Sequence, residues 1–289
     1  MRPPQSNEPP EMLREWAREI AVQQDRDKLT ISGKGSGRYL RELFVNYLYA
    51  PTTERNARGP HLEFASARSD SELLAFIKKW GPITAVSTVN RGDGSKSARE
   101  SLKKVRAVQL EFEAAVSLHR IIRADKPDLD AALKAMNQLA DSQQSPGPAI
   151  ECELIYGEAM RERSQLKGPN LREKCLDMLC AVVKRFPDTW IANKGGYVLL
   201  APAAGHGVLP LLVFMLRQDV LNMRKIITCE NCGQYLLQRR QGERACESCK
   251  GALRAKRHYN LHKKTILRRR REKRRLQKAN AANESKRQV

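Results

Sequence analysis

Cys229, Cys232, Cys246 and Cys249 form two Cys-x-x-Cys pairs with thirteen residues between them. Two residues between cysteines let one tight turn aim both sulfurs at a common point. A second turn of the same kind completes a tetrahedron of thiolates suited to Zn²⁺. Four sulfur ligands leave no open position for a substrate, so the reading is structural zinc, not catalytic zinc. Structural zinc contributes on the order of 10–16 kcal/mol in small fingers, enough to fold a segment with little core of its own. His258 and His262 lie four apart and share a helix face, a metal-capable spacing. With the tetrahedron already filled by sulfur, phosphate or base contact or plain exposure is expected of them. No nucleophile–base pairing stands out anywhere, so catalytic residues are not expected and an enzyme is the least favoured reading.

The charge around the cysteines points to their partner. Residues 229–289 carry 19 of the chain's 53 Lys and Arg but only 5 of its 32 Asp and Glu. Most of the formal net charge of +21 therefore sits in the last fifth of the polypeptide. A field this lopsided attracts polyanions, of which nucleic-acid backbones are the commonest. Between Arg254 and Lys278 the sole acidic residue is Glu272, and arginine outnumbers lysine. The planar arginine fork suits phosphate and guanine edges. First candidates for contact are Arg239, Arg240, Arg244, Arg254, Lys256, Arg257, Lys263 and Lys264. Free in solution such a segment repels itself, and it is expected to gain helix on a phosphate surface.

Elements that position these groups follow from periodicity and punctuation. Residues 1–10 read as a disordered, proline-rich leader. Helical spacing of Leu13, Trp16 and Ile20 predicts a helix over 11–24, and residues 28–32 a short strand before a flexible glycine-rich turn at 33–37. A helix is expected over 41–49 and a weak strand over 61–64. Ser69 should cap a helix that stops at Trp80, before Gly81-Pro82. Residues 97–123 give the longest helical pattern, with Leu102, Val105, Val108, Phe112, Val116, His119 and Ile122 in one stripe. A shorter helix over 128–139, a loop over 142–148 and a helix over 171–186 follow. Residues 189–193 and 197–200 flank a glycine turn and read as a β-hairpin. An apolar helix over 208–223 then delivers the chain to Cys229. Tyr235 and Leu236 suit a small strand, Gly233 suits the turn at the first cysteine pair, and residues 250 onward are helix-compatible past Arg270. The second pair is thus expected at a helix N-terminus, whose partial positive charge favours thiolates. Cys152, Cys175 and Cys180 read as small core residues, with no disulfide framework.

This order of parts (helical body, late hairpin, apolar helix, Cys-x-x-Cys-Gly-x-aromatic, basic stretch, second pair, basic tail) resembles bacterial CGNR-type zinc-finger proteins. In those, an N-terminal ABATE domain, similar to stress-induced transcription regulators, precedes the finger. The likeness is best over residues 189–264. The namesake Cys-Gly-Asn-Arg stands here as Cys249-Lys250-Gly251-Ala252, so the cysteine alone is retained, with Arg254 a displaced basic neighbour. The resemblance implies a transcription regulator that binds DNA.

The expected architecture is mainly α with small β-hairpins, an α+β chain ending in a four-cysteine module of zinc-ribbon or treble-clef type and a basic helix. The expected segments are a leader at 1–10, a mostly helical domain at 11–225, the zinc module at 226–264 and a basic helical or disordered tail at 265–289. The expected function is zinc-dependent nucleic-acid binding, with DNA favoured over RNA. An RNA- or ribosome-associated binder and a protein-interaction adaptor stay open beside it. The helical domain is left for a small-molecule or protein ligand, or for homo-oligomer formation. Residues 1–10 lack an apolar signal core, and the most apolar stretch, 197–216, is broken by Pro202, Gly205, Gly207 and Pro210. No membrane partner is therefore expected, and a cytoplasmic location, nucleoid-associated in a bacterium, is.

Overall fold

The computed structural model describes residues 19–34, 59–84, 88–90, 96–141, 149–184, 188–192, 198–202, 207–238, 240 and 242–287. Expectations for the leader, for the helix over 41–49 and for the loop over 142–148 lie outside them. The chain divides into two compact units, one of Met1–Thr228 with Gln234–Glu243 and one of Cys229–Gly233 with Arg244–Val289.

The first unit is mostly helical, with small antiparallel sheets. Its centre is α3 (Leu102–Ile122), which packs against α1 (Pro60–Ala65), α2 (Asp70–Trp80), α4 (Leu129–Ala140) and α6 (Gly168–Lys184). α5 (Ala149–Arg161) closes against α4 and α6, and α7 (Leu209–Leu221) against α1. Burial on several sides explains why α3 hides Gln109 and His119 as well as its apolar stripe. Leu102, Val105, Phe112, Val116 and His119 of the expected stripe are buried, and Val108 and Ile122 are partly so. Gln109 finds its partner on α1, where its amide donates to the Ala65 carbonyl at 3.1 Å. Ser69 caps α2 in a full capping box with Glu72, as its sequence signature indicated.

A four-stranded antiparallel sheet in the order β1-β2-β4-β3 replaces several expectations. β1 (Glu19–Asp25) is a strand where a helix was expected. It pairs with β2 (Lys28–Lys34) around a two-residue turn in which Arg26 takes φ 52°. Ile20 and Val22, two apart, are the residues that pack on the core, so period two wins over the three-to-four spacing read from Leu13 to Ile20. Gly33 and Lys34 belong to β2 and are not a free turn. β3 (Thr88–Asn90) pairs with β4 (Lys96–Ser101), which occupies the first residues of the expected helix over 97–123. α3 starts later because Asp27 stitches its N-terminus. The Asp27 carbonyl accepts from Leu102 N–H at 2.8 Å, and its carboxylate accepts from Lys103 N–H at 2.7 Å and the Ser101 hydroxyl at 2.6 Å. Those bonds hold the Asp27 carboxyl below its ordinary range, the Ser101 bond most. Residues 61–64 form helix α1, started by Pro60, instead of a strand.

β5 (Asp188–Ala192) and β6 (Val198–Pro202) pair as the expected hairpin, with Trp190 opposite Leu200. Gly207 then passes so close to the Ile83 carbonyl that a Cβ would lie 2.2 Å from its oxygen. Only glycine fits that approach. Cys152 and Cys175 are buried, and burial pushes the Cys175 thiol up to about 12. Cys180 is exposed, against expectation, because five residues carry it past the buried face of α6.

The sequence reading missed a buried polar cluster joining α1, α3 and α7. His61 Nε2 donates to Asp219 Oδ2 at 2.7 Å with both side chains fully buried, and Arg224 Nη1 donates to Asp219 Oδ1 at 3.1 Å. His119 Nε2 donates to the Arg224 carbonyl at 2.8 Å, which fixes its tautomer. Its Nδ1 is buried without a partner. Breaking a buried pair strands the partner charge. Asp219→Ala should therefore cost about 3–5 kcal/mol of stability, read from urea unfolding. Burial lowers the His119 pKa below the ordinary 6.5, outweighing the Arg224 carbonyl and Asp219, which raise it. The unfolded chain thus takes up this proton first. The contribution is full above about pH 6.5 and is lost as pH falls below that value. His119→Gln, which keeps a donor for Arg224, should flatten the stability difference between about pH 7.5 and 5.5; an unchanged slope would count against this assignment.

Candidate metal centre

The cysteines are delivered by two short devices. β7 (Ile226–Thr228) pairs antiparallel with β8 (Tyr235–Leu237), and the first pair, Cys229 and Cys232, lies in the turn between them. All three β8 residues are buried, and Tyr235, Leu237 and Ile226 belong to the core of the first unit. Side chains of α3 and of the residue after α1 hold this hairpin. Tyr235 N–H donates to Ser66 Oγ at 2.9 Å, the Tyr235 and Ser117 hydroxyls meet at 3.0 Å, and Arg120 donates to Thr228 Oγ1 at 2.9 Å. Inside the turn, Gly233 takes φ 71° and its N–H donates to the Cys229 carbonyl at 2.9 Å. A side chain there would cost roughly 1–2 kcal/mol. The second pair, Cys246 and Cys249, brackets the start of α8 (Glu247–Arg287). Cys249 and Lys250 N–H both donate to the Cys246 carbonyl.

In the second unit the four sulfurs converge, all within 4.8 Å of one another. Cys246 Sγ lies 3.7 Å from both Cys229 Sγ and Cys232 Sγ. A tetrahedral ion with sulfur arms of about 2.3 Å has edges of about 3.8 Å, so the cage has the size of one ion. A disulfide would need about 2.05 Å and would join sulfurs in couples only. Cys229 and Cys246 are buried, while Cys232 and Cys249 are half-buried. Burial raises the Cys229 thiol, but N–H donors from Cys232, Cys246 and Asn231 overcome it and bring the thiol down to about 6. Asn231 Nδ2 donates to Cys249 Sγ at 3.3 Å and Cys246 N–H to Cys229 Sγ at 3.4 Å. Such N–H···S bonds fix the ligands and spread their negative charge. The donor set therefore fits a single divalent ion with an affinity for thiolate.

The remaining predicted residues divide. Arg239 lies outside the described residues, and Arg240 is exposed in the loop after β8. Arg254, Lys256, Arg257, Lys263 and Lys264 are all exposed on α8. Arg244 and Arg257 both bond Glu230, each at 3.3 Å. His258 and His262 stack with ring centroids 4.6 Å apart and are exposed, not part of the sulfur cage. Among the described residues no helix is long and apolar enough to cross a membrane. No family model matches the chain, and neither does any curated protein or solved structure.

Material purified under reducing conditions should contain one tightly bound divalent ion per chain by elemental analysis, and none after Cys246→Ser. Loss of an outer hydrogen-bond partner typically weakens a metal site by about 10–100-fold. Asn231→Ala should show at least the lower of these in competition with a chromophoric chelator.

Proposed function

We propose that this protein is a zinc-dependent nucleic-acid-binding protein, with DNA as its ligand and regulation of transcription as its role. Zinc is the ion we assign to the cage, because a closed tetrahedron of four thiolates matches its preferred structural site. The reading rests chiefly on α8. It spans 41 residues, about 60 Å if straight, and its side chains are exposed over most of the described length. Lys250, Arg254, Arg257, Lys264, Arg268, Arg271 and Arg275 recur at alternating three- and four-residue steps, interrupted once by Leu261. Such spacing gathers them on one side of a helix.

A helix that is polar all round has no packing face to stabilise it. Here, moreover, Lys264 with Arg268, Arg269 with Lys273, Arg270 with Arg274 and Arg271 with Arg275 set like charges four apart. Each such pair costs about 0.2–0.5 kcal/mol. Glu272 offsets little, at 3.9 Å from Arg268 with both side chains exposed. A polyanion laid along the stripe offsets the terms of the pairs that lie on it, Lys264 with Arg268 and Arg271 with Arg275, whereas a neutral protein partner leaves them in place. The resemblance to CGNR-type proteins supports DNA and transcription over RNA.

If the module contacts about six phosphates, log affinity falls with log salt at a slope near −5. Replacing Lys264, Arg268 and Arg271 together by Gln should make the slope shallower by about three, measured by fluorescence anisotropy. Duplex DNA should compete better than structured RNA. Affinity independent of salt and of these three residues would leave the protein-adaptor reading instead.

A further inference from the structure

Two arginines from separate segments of the second unit converge on one carboxylate. Arg244 Nη1 lies 3.3 Å from Glu230 Oε1, and Arg257 Nη2 lies 3.3 Å from Glu230 Oε2. Arg244 precedes the second cysteine pair, Glu230 sits inside the first, and Arg257 stands on α8 two turns beyond Cys249. We infer that this fork is a phosphodiester site, and that Glu230 is the anion a backbone phosphate displaces from it. The inference rests on the nucleic-acid reading above and adds where one phosphate binds and what sets its affinity.

The chemistry of the ligand follows from the fork. Two guanidinium groups each address a different oxygen of one centre, the pattern by which arginine grips carboxylates and phosphates alike. A phosphodiester offers the same two oxygens on one atom with a full negative charge. The incumbent is weakly held. The side chains of Arg244, Glu230 and Arg257 are 63%, 41% and 56% exposed, and ion pairs this open to water contribute little. Nor is the carboxylate needed to join the two cysteine segments. Glu230 N–H already donates to the Arg244 carbonyl at 2.9 Å, and Cys246 N–H to Cys229 Sγ at 3.4 Å. The side chain can therefore swing into solvent while the backbone bridge stays. A carboxylate and a phosphodiester each carry one formal negative charge, so the exchange of one for the other leaves the local charge balance unchanged.

Glu230→Gln tests this with the full-length metal-loaded protein and a short DNA duplex, read by anisotropy at fixed salt. Glu272→Gln is the reference, since it changes the net charge equally but relieves only Arg268. Glu230→Gln should tighten binding about three- to fivefold, the effect of removing one exposed ion-pair competitor, and Glu272→Gln by less than about twofold. In an Arg244→Gln, Arg257→Gln background the gain from Glu230→Gln should vanish. Metal content of each variant shows that the cage is intact. Equal effects of the two Glu variants, or weaker binding by Glu230→Gln at full metal occupancy, would overturn the proposal and make Glu230 a brace for the arginines. Failure of the unmodified protein to bind duplex DNA or RNA at all would instead overturn the nucleic-acid reading, and this one with it.

Discussion

Four cysteine sulfurs brought within 4.8 Å of one another are the constraint on which the second unit depends. The segment around them has little apolar mass to hold them there. Leu253, Ile266 and Leu267 are at best partly buried, and Leu261 is 81% exposed. A divalent cation held by the four sulfurs would supply the cohesion that packing does not. Such an ion would also tie together segments far apart in sequence, because Cys229 and Cys246 stand seventeen residues apart and meet at 3.7 Å. The second unit thus has a four-cysteine cluster where other domains have a core.

Its position in the chain matters for the same reason. Cys229 follows directly on Thr228, and the hairpin strands that flank the first pair lie in the core of the helical unit. Ser66, Ser117 and Arg120 pin that hairpin, and His119 holds the Arg224 carbonyl just before it. Arg224 in turn closes on Asp219, which is shared with His61. Polar bonds in a buried setting are directional where apolar contacts are not, and they specify one arrangement of β7 and β8. A hairpin of three-residue strands has too little ladder of its own to do that.

What could be read from sequence follows from the range of the interactions concerned. The cysteine cage was legible because its signal is local, two residues inside each pair and thirteen between. So were the cap at Ser69 and the stripe of α3, which depend on neighbours within a turn or two. Strand β1 was not, since Ile20 and Val22 become a strand only by pairing with residues 28–34 and, through them, with β4. A four-residue segment such as 61–64, in which Leu62 and Phe64 alternate with His61 and Glu63, is ambiguous between helix and strand, and Pro60 was the cue that should have decided it. α5 passed unnoticed because its apolar residues lack a clean period, leaving Leu154 62% exposed amid the packing. Asp219 offered one usable hint: a lone carboxylate in an apolar helix demands a partner. The partner, His61, lies 158 residues away, beyond any local pattern.

The tail posed the opposite problem. Its composition argued for a chain that repels itself when free, yet α8 runs as helix from Glu247 to Arg287. Both observations are consistent if helix is viewed as a geometry and charge as a demand. Arginine and lysine are good helix formers in isolation, and the first turn is bracketed by Cys246 and Cys249 and carries Glu247 at the end where negative charge is favourable. Downstream, the cost of like charges rises with each turn and few local acids answer it. Arg257 is answered by Glu230, a residue outside the helix, and the next acid along α8 is Glu272. Between Arg257 and Glu272 the helix carries Lys263, Lys264 and Arg268–Arg271 with no acidic residue of its own among them. Under the proposed function, a nucleic-acid backbone supplies a counter-anion as extended and regular as that stretch, which a patch of acidic side chains on a folded protein rarely does.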